Sequence, residues 1–171
     1  LVSKSAAWRY LDKGLDITGA PWKSADYYDG FWSSGPSPLG FTLTNLATTV
    51  SYGGVASNRY ITTYFRHTFT MDRQPLSVFA RIMRADGAAL YLNGTEAARH
   101  NLPAGALGSA TLASAATTGT NAVRYYDFPL ALSNLVVGRN QLAAELHLSS
   151  ANREAAGFSL ELLSVTPTIP A

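Results

Sequence analysis

Apolar and polar residues alternate along most of this chain with the two-residue period of a half-buried β-strand. In the strand that begins at Leu76, for example, Val78, Ala80 and Ile82 fall on the same face. Segments of four to eight or more such residues, bounded by Gly, Pro, Asn and Asp, indicate strands. The pattern predicts eight strands, over residues 6–11, 61–71, 76–82, 88–92, 95–99, 122–130, 141–149 and 157–165.

Two dipeptides between these strands have the composition of tight turns. Asp86-Gly87 and Asn93-Gly94 tolerate positive φ at both central positions, which a type I′ hairpin requires. The two turns predict an antiparallel meander of three strands with one buried face.

Long polar connections separate the remaining strands. Residues 12–58 are aromatic but rich in Gly, Ser, Pro and Asp, and residues 101–121 are small and polar. We therefore predict an all-β fold, a two-sheet antiparallel jelly-roll β-sandwich of about eight strands with long loops. Residues 1–165 form a single module, and residues 166–171 form a Pro/Thr-rich tail typical of a linker.

Composition excludes several functions. The 171 residues include no cysteine, which excludes disulfides, thiolate zinc sites and cysteine nucleophiles. The net charge of +2 comes from scattered basic residues, so no nucleic-acid partner is expected. No apolar run approaches the ~20 residues that cross a bilayer, so no membrane partner is expected. We expect a module of a longer secreted chain, located outside the cell or at its surface.

Several segments in order resemble one known family. They are residues 22–32 with Trp32, the Gly35–Phe41 turn, and the segments 60–69, 86–94 and 138–147. Together they resemble galactose-binding-domain-like jelly rolls of bacterial secreted proteins, and are similar to carbohydrate-binding modules. The resemblance implies a sugar-binding accessory domain of a larger enzyme or surface protein, whose partners are polysaccharides or oligosaccharides and neighbouring domains.

The chain departs from the family pattern at three places. Ala85 stands where an acid often precedes the Asp of the turn, Tyr28-Asp29 replaces a double acid, and residues 152–157 lack a common Asp. These departures weaken the transfer of a ligand or calcium site from the family to this chain.

Aromatic and planar polar side chains are the candidates for sugar binding. Aromatic residues make up 11% of the chain, and many lie in predicted loops. Apolar faces of sugar rings pack on aromatic planes, and sugar hydroxyls bond to Arg, His and Asn. The predicted ligand-binding residues are Tyr52, Arg59, Tyr60, Arg99, His100, Arg124, Tyr126 and His147.

Metal binding and catalysis are weaker hypotheses. No cofactor is required, but Asp26 and Asp29 could hold a structural calcium ion with nearby carbonyl groups. Glu145 and His147 share a strand face, with His67 on another strand, and could form a base and its partner. A half-buried polar pair, in which each side chain satisfies the other on a sheet, explains Glu145 and His147 better.

Three functions therefore follow from the sequence. The first is a non-catalytic carbohydrate-binding module of a larger secreted enzyme or surface protein. The second is a structural or protein-interaction β-sandwich without a glycan ligand. The third is a small hydrolase that uses Glu145 and His147.

Overall fold

Two facing β-sheets form the molecule in the computed structural model, which describes residues 1–166. Within those residues there are eleven strands: β1 (Ala7–Leu11), β2 (Ser33–Pro36), β3 (Leu39–Phe41), β4 (Thr48–Thr49), β5 (Thr62–Met71), β6 (Ser77–Ala85), β7 (Gly87–Leu92), β8 (Thr95–His100), β9 (Tyr125–Pro129), β10 (Gly138–His147) and β11 (Ala156–Val165). Two short 3-10 helices, Gly119–Val123 and Leu132–Asn134, interrupt the connections. The predicted all-β sandwich is confirmed.

The eight predicted strands correspond to β1 and β5–β11. The three additional strands, β2, β3 and β4, come from the segment predicted as loop. They are two to four residues long and rich in Gly, Pro, Ser and Thr, so their composition does not distinguish them from turns. Apart from Thr166, the predicted tail 166–171 lies outside the described residues.

Most strands that pair within a sheet are distant in sequence, the exceptions being β1 with β2, β3 with β4 and β7 with β8. One sheet has the order β2-β1-β5-β10-β7-β8, and the other has the order β4-β3-β11-β6-β9. Neighbouring strands are antiparallel except β3 and β4. The two longest pairings are β5 with β10 and β6 with β11.

One of the two predicted hairpins is present. Asn93 and Gly94 have φ of 51° and 89°, and they join β7 to β8 as a tight turn. The meander prediction is wrong at Asp86-Gly87, because β6 and β7 lie in different sheets and the chain crosses between them there. Gly87 does not adopt a positive φ; instead, a Cβ at this position would lie 2.4 Å from the carbonyl oxygen of Asn101.

The main core fills the space between the sheets. Phe65 of β5 stacks on Phe158 of β11 with ring centres 4.4 Å apart, and Trp8 packs edge-on against Phe158 at 5.2 Å. A second cluster lies on the outer face of the six-stranded sheet, where Trp22 contacts Tyr64 and Tyr91 at 4.9 and 5.7 Å.

The second cluster covers the outer face of β10. The alternation along this strand places Ala143, Glu145 and His147 opposite the main core. All three are nevertheless buried, because the loop that carries Trp22 and the 101–117 segment cover this face. Because β10 is covered on both faces, solvent does not reach the polar side chains of Glu145 and His147.

Long loops meet at one end of the sandwich. Arg59 donates its backbone N–H to the carbonyl of Ala151 at 2.7 Å, and Ala113 donates to Leu148 at 3.0 Å. Asp86 joins the same loops: its carboxylate accepts bonds from the backbone N–H groups of Thr117 and Ser149 at 2.7 and 2.9 Å. We call this region the loop end, and define it by residues 42–61, 101–124 and 148–155.

Within the described part of the chain, no helix has the length and apolar character needed to span a bilayer.

Candidate functional site

Six of the predicted ligand-binding residues form two groups: Tyr52, Arg59, Tyr60 and Arg124 lie at the loop end, and two more lie on the adjoining strands β8 and β9. Tyr52, Arg59 and Tyr60 form one group on the 51–60 loop, beside Phe41. The second group lies at the edge formed by β8 and β9, and contains His100, Arg124 and Tyr126. Arg99 and His147 belong to neither group.

The first group is braced by its own loop. The Arg59 guanidinium lies 4.9 Å from the centre of the Tyr52 ring, and its Nη1 donates to the carbonyl of Ala56 at 2.5 Å. The Tyr60 ring covers Gly14 and Gly53, where a Cβ would meet the ring. These contacts hold the loop and leave only part of each aromatic ring exposed.

The second group is more open and more strongly charged. The His100 ring meets the Tyr126 ring edge-to-face at 4.4 Å, and Arg124 lies 5.3 Å from the centre of the Tyr126 ring. A further cation, Arg84, lies 4.7 Å from the same ring. Burial lowers the pKa of His100, and the positive charge of Arg84 lowers it further.

A polar cleft of about 210 Å³ opens beside Tyr126. We call it the Arg84 cleft. One wall is formed by residues 115–118 and Asn121, and another by Asn101, which follows β8. Arg84 and Tyr126 complete the lining. A second cleft of about 510 Å³ adjoins it and shares Thr117 and Thr118. The arrangement places one aromatic ring among several hydrogen-bonding side chains.

Arg84 was not predicted as a site residue. It lies on the same strand face as Val78, Ala80 and Ile82, so its side chain enters the gap between the sheets. There its Nη1 donates to Thr117 Oγ1 at 2.6 Å. The alternation of Val78, Ala80 and Ile82 continues to Arg84, two residues beyond the predicted strand, and a charged residue at such a core-facing position is the feature that could have identified it.

Arg99 holds a loop. Its guanidinium pairs with both carboxylate oxygens of Glu96 at 2.8 and 2.6 Å, and Nη1 donates to the carbonyl of Gly105 at 2.9 Å. The hydrogen bonds that Arg99 donates to Glu96 raise the pKa of Arg99. The geometry fixes the 101–105 segment against β8, and uses most of the donors that a ligand would need.

His147 lies where no ligand reaches it. The side chain is 0% exposed, and its Nδ1 bonds to the carbonyl of Thr111 at 2.7 Å. Its Nε2 is 3.2 Å from Glu145 Oε2, while the other oxygen of Glu145 accepts a bond from the Tyr91 hydroxyl. This buried network fits the polar-pair explanation rather than a hydrolytic site, and His67 bonds elsewhere, to Ala7.

One of the two predicted calcium ligands, Asp29, lies beside a guanidinium. Asp29 Oδ2 accepts a bond from Arg66 Nε at 2.8 Å, and Asp26 is exposed. The same guanidinium donates to three backbone carbonyls, those of Trp22, Ser24 and Tyr27. Residues 1–166 contain no group of three His, Cys, Asp or Glu side chains placed to hold a metal. The Arg66 guanidinium thus occupies the position beside Asp29 and these three carbonyls.

Comparison with known proteins shows the fold. No protein-family model and no curated protein matches the chain. Among solved structures, β-glucuronidase 2 of Bacteroides uniformis matches with a TM-score of 0.61 and 16% identity, over 97% of this chain and 18% of its own. A β-glycosidase of Bacteroides vulgatus matches with a TM-score of 0.53 and 15% identity, over 95% of this chain and 20% of its own.

A glycosyl hydrolase family 2 member of Bacteroides cellulosilyticus is also similar, with a TM-score of 0.59 and 14% identity over 96% of this chain. It too is matched over only 20% of its own length. The chain thus spans about a fifth of the solved glycosidases it resembles. It shares the fold of one small domain of those proteins.

Proposed function

We propose that this chain is a non-catalytic carbohydrate-binding module of a larger secreted enzyme or surface protein. The Arg84 cleft is its sugar-binding site. The observation that carries the proposal is the placement of the Tyr126 ring beside Arg84, Asn101 and Thr117 in an open cleft. The shared fold with a domain of glycosidases supports the same function.

The chemistry of the cleft suits a sugar ring. One face of a sugar ring carries C–H groups that pack on an aromatic plane, and the hydroxyls at its edge need donors and acceptors. Tyr126 offers the plane, while the Thr and Asn side chains offer both donors and acceptors. The adjoining cleft gives space for further sugar units.

The lining favours binding over cleavage. Glycoside hydrolysis needs two carboxyl groups about 5–9.5 Å apart across the bond. Among the described residues, those lining the Arg84 cleft include no Asp and no Glu. Glu145, the acid of the hydrolase hypothesis, is buried on the far side of the six-stranded sheet from the main core.

A docking function is the second candidate. Tyr28 and Phe31 are 77% and 63% exposed, and their rings lie 6.4 Å apart on one loop. Exposed aromatic pairs of this kind occur at interfaces between domains. The partner would be a neighbouring domain of the parent protein.

Affinity electrophoresis against a panel of soluble polysaccharides tests the proposal. We expect one class of glycan to retard the wild-type chain. Tyr126→Ala should weaken this retardation by about tenfold or more, because the ring contact is lost. Tyr28→Ala is the matched control, since it removes an exposed Tyr from another surface and should bind as the wild type does. If no glycan retards the wild-type chain, sugar binding is wrong and docking becomes the leading function.

A further inference from the structure

Arg84 is a buried cation without an anionic partner. Arg84 is only 5% exposed, and its guanidinium contacts Thr117 and His100. No carboxylate among residues 1–166 lies within ion-pair distance of it. Burial lowers the pKa of Arg84, as expected for a desolvated cation.

The buried Arg66 and the half-buried Arg153 show what is missing. Arg66 pairs with Asp29 at 2.8 Å, and Arg153 pairs with Asp86 at 2.9 Å. Burying a charge costs free energy that a counter-ion normally offsets. Arg84 is buried as Arg66 is, but faces a cleft instead of a carboxylate.

The negative charge of Asp86 attracts that of Arg84 from beyond ion-pair distance. Asp86, the nearest buried acid along the strand, already accepts bonds from Arg153, Ser149 and Thr117. Arg124 adds a second cation beside Tyr126. The cleft is therefore rich in donors and positive charge, and it is open to solvent at Tyr126 and Asn121.

We propose that the Arg84 cleft binds the anionic group of an acidic saccharide, a carboxylate or a sulfate ester. This inference rests on the proposed sugar-binding function and specifies its ligand. A guanidinium binds either group through paired hydrogen bonds, and Asn101, Thr117 and Thr118 surround the same space. At about 210 Å³, the cleft is below the ~300–1,000 Å³ of sites for drug-sized ligands. It holds one charged sugar unit, and the chain of the glycan continues into the adjoining cleft.

Matched pairs of polysaccharides test this inference. The first pair is de-esterified pectate and fully methyl-esterified pectin, which differ in the carboxylate. The second pair is dextran sulfate and dextran, which differ in the sulfate. We expect the acidic member of one pair to bind the wild-type chain at least about tenfold more tightly than its neutral member. The pair that responds identifies the anionic group.

Charge-matched variants separate a specific site from general attraction. Arg84→Gln should bring binding of the acidic glycan to the level of the neutral one. Arg73→Gln removes the same charge at an exposed position in the 72–76 connection and should leave binding unchanged. Equal losses in the two variants, or full binding by Arg84→Gln, would overturn the inference.

Circular dichroism shows whether Arg84→Gln folds. If it does not fold, the binding of acidic and neutral glycans to the wild-type chain still tests the inference. Equal binding of the neutral and acidic members overturns the acidic-ligand inference while sugar binding holds. Absence of binding to all four probes and to the wider panel overturns both.

Discussion

Three planar side chains define the site at the scale of single residues. Arg84, His100 and Tyr126 come from β6, β8 and β9, and each lies within contact distance of the others. Arg84 shares its strand face with core residues. The cleft therefore lies next to the apolar core, at the point where the side chains between the sheets become polar. A ligand there would replace water around a cation that the protein itself leaves without a carboxylate.

The buried pair of Glu145 and His147 acts differently. Burial alone would raise the pKa of Glu145, but hydrogen bonds from His147 and Tyr91 outweigh it and hold that pKa below its ordinary value. His147 also bonds to the carbonyl of Thr111, so the pair ties the 107–114 segment to the sheet. The contribution of these groups is to stability rather than to chemistry.

A pH dependence of stability follows from this pair. Because the pKa of Glu145 is lower in the folded state, the carboxylate stabilises the fold above pH 4.5, its ordinary value, and this stabilisation is lost as pH falls through the folded pKa. Urea unfolding of the wild type should therefore show a steeper loss of stability on acidification than Glu145→Gln. An equal pH slope for the two proteins would contradict this role.

At the scale of elements, Arg66 joins the covering loop to the six-stranded sheet. Its guanidinium contacts the carboxylate of Asp29 and three carbonyls of residues 22–27, and its Nη2 also donates to Gln141 Oε1 at 3.2 Å. One side chain from β5 thus satisfies polar groups that would otherwise be buried over the second cluster.

Replacement of Arg66 should destabilise the chain strongly. Arg66→Met leaves these acceptors without donors, and we expect a loss of about 3 kcal/mol or more in the free energy of unfolding. Arg81→Met is the matched control, because Arg81 pairs with Asp127 and Glu161 at the surface and should cost about 1 kcal/mol or less. Urea denaturation measures both values.

The effect of EDTA on thermal unfolding tests the predicted calcium site. With Arg66 among the oxygens of Asp29 and its neighbours, the melting temperature should not change when EDTA is added. A fall in the melting temperature with EDTA would show instead that a metal stabilises the loop.

The two Asx-Gly dipeptides show what sequence could predict at this scale. Asn93-Gly94 connects strands of one sheet, and local backbone preference decides its conformation. Asp86-Gly87 has the same local preference, but the carboxylate of Asp86 bonds to residues that are 31 to 67 positions away in sequence. Long-range partners of this kind leave no local pattern.

Part of the candidate site could be predicted from the sequence, for a similar reason. Aromatic and basic residues in loops pointed to the loop end, which contains four of the eight predicted ligand residues, while His100 and Tyr126 lie on the adjoining strands. The strand alternation places His147 on the face opposite the main core, but segments distant in sequence cover that face and bury the side chain. The significance of Arg84 depends on which carboxylates are near it, and only the folded chain decides that.

At the scale of the whole molecule, the sandwich presents its loops at one end and buries both faces of its central strands. The chain occupies about a fifth of the length of the glycosidases whose fold it shares. In this account the sheets form a rigid support, and the loop end carries the recognition.

The central claim is that sugar binds in the Arg84 cleft, and chemical-shift mapping tests it most directly. Backbone amide signals of the ¹⁵N-labelled chain are followed while oligosaccharides of the retarding glycan are added. The account predicts that the largest shifts fall on Arg84, Asn101, Thr117 and Tyr126, with little change at Tyr28 and Phe31. Shifts confined to the 27–32 loop or to the 51–60 loop would contradict it.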